Sequence, residues 1–161
     1  MDKEARLKDL AAGLGEGLLG TEDSGGMPVL VIRPDALLPL VRSLREPPFG
    51  LDVLLDLTCR DGPDTPQRFT LVYHFASFAS GGRVRVNIPL QAEDPVADSL
   101  TPFWPNADWL EREVFDMFGV RFRGHPRLTR ILLYEGFEGH PLRKDYPFRK
   151  RQPLVPEADK P

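Results

Sequence analysis

The run Phe69-Thr70-Leu71-Val72-Tyr73-His74-Phe75-Ala76 is followed, after a short gap, by Arg83-Val84-Arg85-Val86-Asn87-Ile88. In both runs every second residue is apolar: Phe69, Leu71, Tyr73 and Phe75 in the first, Val84, Val86 and Ile88 in the second. A period of two puts these side chains on one face of a strand, with Thr70, His74, Arg83, Arg85 and Asn87 on the other. One buried and one wet face is the pattern of an antiparallel sheet. Ser80-Gly81-Gly82 between the runs is turn chemistry, and a short connection makes the two strands neighbours. Upstream, Val53 to Cys59 is a third apolar run, joined by the turn-forming Asp61-Gly62-Pro63-Asp64.

Outside this sheet the period changes. Leu37, Leu40, Val41 and Leu44 recur at helical spacing, with Pro39 in the first turn and Pro47-Pro48 as a stop. Before them stand a short buried strand, Val29 to Ile32, and a Gly-rich stretch over 13–28 with a hairpin-like centre at Thr21 to Gly26. Residues 2–12 read as a short amphipathic helix. Downstream, 106–118 reads as a strong helix. Asn106 or Asp108 is its expected cap, Leu110, Val114 and Met117 its apolar stripe, widened by Trp109 and Phe118, and Gly119 its C-terminal stop. After residue 120, Pro126, Pro141, Pro147, Pro153 and Pro156 interrupt every candidate element, and only Ile131-Leu132-Leu133 offers a strand. The expectation is an α+β domain over 1–120, with two or three helices packed on an antiparallel sheet, and a long extended Pro-rich arm over 121–161.

Composition narrows the function classes. The chain has 161 residues, 41% apolar and 28% charged, enough for one real core. A single cysteine, Cys59, excludes an internal disulfide, a four-cysteine zinc site and an all-cysteine cluster. The longest stretch without Asp, Glu, Lys or Arg, Phe69 to Gly82, falls short of the ~20 apolar residues of a membrane span. Charge is uneven: residues 1–120 carry 11 Lys/Arg and 19 Asp/Glu, while 121–161 carry 10 and 5. A basic arm of this kind is either solvated or lies on an acidic partner. With few regularly spaced apolar residues, the arm is expected to order mainly on that partner.

Candidate chemistry is sparse. Gly15-Glu16-Gly17-Leu18-Leu19-Gly20 matches G-x-G-x-x-G, but a helix precedes it and a turn cluster follows, the reverse of a dinucleotide site. His125 and His140 sit in two similar units, Phe122-Arg123-Gly124-His125-Pro126 and Phe137-Glu138-Gly139-His140-Pro141. With Glu135, Glu138 and Asp145 nearby they could hold a metal, yet the spacing fits no local metal motif, and turn formation is the plainer reading. Cys59 and His74 could pair as nucleophile and base, against the plainer reading of a buried thiol. Glu111, Arg112, Glu113 and Asp116 could serve acid–base work, but more simply form a solvated or interface face with Arg112 paired to Asp116. Phe122, Phe137, Tyr146 and Phe148 among arginines could stack on bases.

One ordered series outweighs these. Glu111-Arg112-Glu113, Asp116-Met117-Phe118-Gly119, Gly124-His125-Pro126, Arg130-Ile131-Leu132 and Gly139-His140-Pro141-Leu142-Arg143-Lys144-Asp145-Tyr146 follow one another within about residues 103–147. This series resembles the 30 kDa (C) subunit family of complex I, the proton-translocating NADH–quinone oxidoreductase. Two places depart from the family pattern: Thr129 precedes Arg130 where a basic pair is common, and Leu133-Tyr134-Glu135 follows where an Asp is frequent. The resemblance implies a cofactor-free, non-catalytic subunit of the hydrophilic arm, in a complex that uses FMN, iron–sulfur clusters, NADH and quinone. It implies packing beside the 49 kDa-like (D) subunit that helps form the quinone pocket, and contact with the membrane only through the complex. The short, unfused chain without a transit peptide is expected at the cytoplasmic face of a bacterial inner membrane. The same subunit type in a membrane-bound hydrogenase or a ferredoxin- or deazaflavin-linked dehydrogenase is the alternative. A standalone hydrolase and a nucleic-acid-binding module are remote ones; no nucleic acid is expected as a partner.

Overall fold

A computed structural model describes residues 12–62, 66–147, 149 and 152. The expected helix over 2–12 lies almost wholly outside the described residues, as does the end of the arm.

Among the described residues, helical residues 12–14 are followed by seven strands and two further α-helices in the order β1 (Leu18–Ser24), β2 (Met27–Ile32), α1 (Leu37–Arg45), β3 (Val53–Asp61), β4 (Phe69–Ala76), β5 (Arg83–Leu90), β6 (Val96–Asp98), α2 (Ala107–Phe118) and β7 (Arg121–Arg123). The alternation in β4 and β5 is realised in full: Phe69, Leu71, Tyr73 and Phe75 are buried, as are Val84, Val86, Ile88 and Leu90. Tyr73 pairs with Val86 and Leu57 in register, so aligned apolar rows run across the sheet.

The sheet order is β1-β2-β5-β4-β3. It is antiparallel except at its centre, where β2 and β5 run parallel, Leu30 beside Val86. The wholly antiparallel sheet expected from the sequence is corrected at that one pairing. The hairpin argument applies to neighbours in sequence, whereas β2 and β5 become neighbours because α1 carries the chain to the far edge and β3-β4-β5 walks back. The hairpin-like centre read at Thr21 to Gly26 falls on the β1–β2 hairpin, but the length of β1 is not legible, because Leu18-Leu19-Gly20-Thr21-Glu22-Asp23-Ser24 buries no residue and has no apolar period.

Both helices join the same core. Leu37, Leu40, Val41 and Leu44 of α1 are at most 1% exposed, and Ala107, Val114, Met117 and Phe118 of α2 are buried with them. Each large apolar side chain removed from water contributes about 1.5–3 kcal/mol. Trp104 stacks obliquely on Phe75 at 5.2 Å, and Arg45 lies 5.5 Å over the Trp104 ring, tying α1 to the loop before α2. The outer edge of β3 is closed by side chains: Trp104 Nε1 donates to Asp52 O and Asn106 Nδ2 to Leu54 O. Asn106 therefore stands at the N-cap without capping, and no side chain caps α2 there. Trp109, expected in the apolar stripe, is 69% exposed.

After β7, which pairs with β6, no further helix or strand occurs among the described residues. The irregularity matches expectation. Residues 124–147 turn back over α2 of their own domain.

Candidate functional site

An α-helix leaves its last four carbonyls without partners. In α2 all four are satisfied. Gly119 N–H donates to Phe115 O at 2.8 Å, the left-handed C-terminal stop read from the sequence. The other three are met by the returning chain. His140 Nδ1 bonds Asp116 O at 3.0 Å, Leu142 N–H donates to Met117 O at 3.1 Å, and Arg143 Nε donates to Phe118 O at 2.5 Å. The Arg143 and Arg130 guanidiniums also stand at the negative end of the helix dipole.

Asp116 is the second anchor. It is fully buried, and its Oδ2 accepts the N–H groups of Ile131, Leu132 and Leu133 at 2.9–3.0 Å. Arg130 Nη1 donates to Oδ1 at 2.7 Å, and Arg130 Nη2 donates to Gly139 O. Burial opposes the charge, but these donors outweigh it and hold the carboxyl below its usual range. Two sequence expectations fall here. Ile131-Leu132-Leu133 is no strand, because its three amides converge on one carboxylate instead of facing a neighbour. Arg112 does not pair with Asp116; its guanidinium donates to Thr129 O and Arg130 O at 3.0 and 2.9 Å. The four charged residues are not one solvated face either: Glu111 and Asp116 are buried, and only Glu113 is exposed.

The two Gly-His-Pro units clip the two ends of this helix. His125 Nδ1 accepts the Arg127 N–H at 3.0 Å, so its hydrogen is on Nε2, which faces Asp108 O at 3.2 Å. His140 must donate from Nδ1 to reach a carbonyl, and burial together with Arg143 and Arg130 lowers its pKa. Gly124 and Gly139 take φ of 79° and 92°, the left-handed turns that Pro126 and Pro141 then continue. The turn reading of both histidines is therefore realised. Among the described residues no group of three or more His, Cys, Asp and Glu is placed to hold a metal ion.

A third anchor has no counterpart in the sequence reading. Asp61, at the end of β3, accepts Arg68 Nε and Nη2 at 2.7 and 2.6 Å, and the Lys144 N–H at 2.7 Å. Arg68 Nη1 extends to Asp145 at 2.8 Å. Arg68 and Arg143 each lie 5.1 Å from the Phe69 ring. Its only signal is Asp61 in a turn, indistinguishable in sequence from ordinary connector chemistry. Beyond it, Tyr146 stacks on Phe137, and its hydroxyl accepts from Gln152 Nε2 at 2.8 Å.

Glu111 stands apart. Oε1 accepts the Leu100 N–H at 2.6 Å, while Oε2 and the buried Tyr73 hydroxyl have no partner among the described residues. Burial pushes the Glu111 carboxyl up to about 7.

The remaining candidates separate. Cys59 faces Leu71 across the β3–β4 ladder, while His74 faces Asp56, so no nucleophile pair forms. Burial raises the Cys59 thiol to about 12, a structural thiol. Gly15 to Gly20 leads into a strand, not a helix, and Gly17 is required for contact: a Cβ there would stand 2.7 Å from Ala36 Cβ. Phe122 is buried, and Phe137 and Tyr146 stack on each other, so these three rings do not form an open surface for bases; Phe148 lies outside the described residues. Leu132 and Leu142 point outward, 61% and 54% exposed.

Residues 30–152 match the family described as the respiratory-chain NADH dehydrogenase 30 Kd subunit. The C-type subunit of the NADH-quinone oxidoreductase of Rhodobacter capsulatus is 42% identical over 147 residues, covering 88% of this chain and 73% of that protein. The C/D-type subunit of the same enzyme from Gluconacetobacter diazotrophicus is 46% identical over 129 residues, which cover 75% of this chain but 22% of that longer protein. A solved trypsin-resistant fragment of Nqo5 superposes with a TM-score of 0.68 at 30% identity, covering 80% of this chain and all of the fragment. A chain of an archaeal membrane-bound sulfane sulfur reductase shares the fold, with a TM-score of 0.75 at 21% identity, 91% of this chain and 86% of that one.

Proposed function

The chain belongs to the respiratory-chain NADH dehydrogenase 30 kDa subunit family, and from that membership we propose that it is a cofactor-free structural subunit of a proton-translocating NADH–quinone oxidoreductase. It packs beside the D-type subunit of the quinone module and supports electron transfer from NADH to quinone without reacting groups of its own. Its place is the hydrophilic arm, at the cytoplasmic face of the inner membrane, held there through its neighbours. No helix among the described residues is long and apolar enough to cross a membrane.

One observation carries this reading. Most polar groups of the family series bond within the chain; Glu113 and Lys144 are exposed, and Glu111 Oε2 has no partner among the described residues. Arg112, Asp116, Arg130, His140, Arg143 and Asp145 each bond another group of the same domain. A reacting constellation would leave donors and acceptors converging on a space where substrate can sit. Here they converge on one another and fix the shape that a neighbour meets. The Gluconacetobacter relative, whose name joins the C and D types, supports the choice of neighbour.

The test is deletion and rescue. Removing the chain should abolish NADH–quinone reductase activity of membranes and leave the D-type subunit out of the purified complex. Purified alone, the chain should show no flavin or cluster spectrum. Full activity in the deletion strain, or a bound redox group in the isolated chain, contradicts the proposal.

A further inference from the structure

The sheet has a second face, carrying the half-buried Thr70, Val72, His74 and Ala76, and among the described residues α1 and α2 pack on the opposite one. At one end of this open face Met27, Leu55, Asp56, His74, Phe75 and Arg83 line a hollow of about 300 Å³. Three strands place its polar groups by register: Asp56 of β3 opposes His74 of β4, which opposes Arg85 of β5. Arg83 lies two residues before Arg85 and so projects from the same face.

The row runs on through Val29 to Glu22 of β1, yet among the described residues neither Arg83 nor Arg85 forms an ion pair with Glu22 or Asp56. Arg85 is half-buried, yet its guanidinium donates only to His74 Nε2 at 2.9 Å and to Ser24 Oγ at 3.3 Å among the described residues. Accepting from Arg85 requires His74 to be neutral, with its hydrogen on Nδ1. Burial, followed by the Arg85 charge, lowers the His74 pKa in the same direction, against the pull of Asp56. Arg83 has no carboxylate partner among the described residues, and Asp56 is the one carboxylate among those lining the hollow. A guanidinium taken partly out of water and left without an anion is an unfinished ion pair.

Two exposed apolar side chains stand at the hollow and in the turn before Arg83. Leu55 is 46% exposed, lifted outward by the register shift between Leu54 and Asp56. Phe78 is 84% exposed, in the turn that Ser77 and Gly82 close immediately before Arg83. A free anion would meet the arginines but leave Leu55 and Phe78 in water. An extended chain bearing carboxylates next to apolar side chains meets both.

We propose that this open sheet face docks an acidic segment of a partner chain, its carboxylates on Arg83 and Arg85 and an adjoining apolar side chain in the hollow between Met27 and Leu55. The site lies on a different part of the domain from the α2 clasp. It rests on the preceding functional reading only for the assembly in which the partner is sought.

The experiment uses the full chain in its purified complex, with a photo-cross-linking amino acid in place of Leu55. The expected result is one cross-linked partner segment that carries Asp or Glu beside an apolar residue. Arg83→Glu should weaken retention of the chain at raised ionic strength by about tenfold, while Arg83→Lys stays within about twofold of wild type. Arg83 is exposed, with no ion pair among the described residues, so neither variant should alter the melting curve of the isolated chain. A chain absent from the complex defeats the functional reading and this proposal together. A chain present but not cross-linked at position 55, or cross-linked to a segment without carboxylates, defeats the proposal alone. Saturable binding of inorganic phosphate by the isolated chain, lost in Arg83→Glu, with no cross-link in the complex, would replace the peptide by a small anion.

Discussion

At the scale of single residues, two buried carboxyls of α2 behave in opposite ways. Asp116 is charged and fully satisfied; removing its charge leaves Arg130 and three amides with a weaker acceptor. Asp116→Asn should cost about 3 kcal/mol in denaturant unfolding, because an ion pair broken on one side strands the other. A loss below a few tenths of a kcal/mol would mean the clasp is ornamental. Glu111 is raised in the fold from 4.5 to about 7. Between those values the folded chain holds a proton that the unfolded chain has released. Its stabilising share is therefore complete below pH 4.5 and is lost as pH rises toward and through 7. Glu111→Gln should match wild type near pH 5 and exceed it at pH 8 by up to about 3 kcal/mol. Taking the difference between the two proteins cancels the histidines, His74 and His140, whose lowered pKa values work the other way in this range. Parallel melting curves for the two proteins from pH 5 to 8 would exclude the buried acid.

For the elements, helix α2 is where sequence and structure can be compared most closely. Val114→Asp should remove several kcal/mol, since a carboxylate would enter the core unpaired, whereas Trp109→Ser should leave the melting midpoint nearly unchanged. Gly119 carries a stricter demand. It takes φ of 74°, and a Cβ would stand 2.5 Å from Arg143 Nη2 and 2.6 Å from His140 Nε2. Gly119→Ala should thus open the clasp as well as strain the stop, seen as faster amide exchange at Leu142 and at 131–133 together. Protection unchanged at 131–133 would show the two halves of the clasp to be independent. The helix, its stop and its buried side are legible in the sequence because period and glycine act locally. Trp109 is not, because it sits at the margin of the stripe, where only the neighbouring fold decides which side is covered. A spacing of four points Asp116 at Arg112, but a carboxylate that can gather three amides and a guanidinium prefers them to a single partner. The β4–β5 pattern tells the face and the pairing; the parallel contact of β2 with β5 is illegible because no local period encodes which strands meet across a long connection.

The whole molecule closes on itself through its C-terminal half. Truncation after Val120 would strip Asp116 of four donors, α2 of three carbonyl partners and Asp61 of the Lys144 amide. That protein should lose cooperative melting, while truncation after Pro147, which removes the Gln152 bonds to Glu138 and Tyr146 but leaves the Asp116 and Asp61 anchors, should keep it. Equal, cooperative melting of both would return 121–147 to the role of an arm that orders on its partner. The position of β5 has a consequence of a different kind. It is the last of the five strands to be made, and it stands between two hairpins that share no other strand. Until it arrives, β1-β2 and β3-β4 have no common ladder. The sheet therefore has one late nucleating event that joins residues far apart in the chain, which places folding toward the slow end, milliseconds to seconds. During synthesis at roughly 5–20 residues per second, the inner edges of β2 and β4 wait unpaired for the stretch from Ser77 to Leu90, open to any other strand that reaches them first.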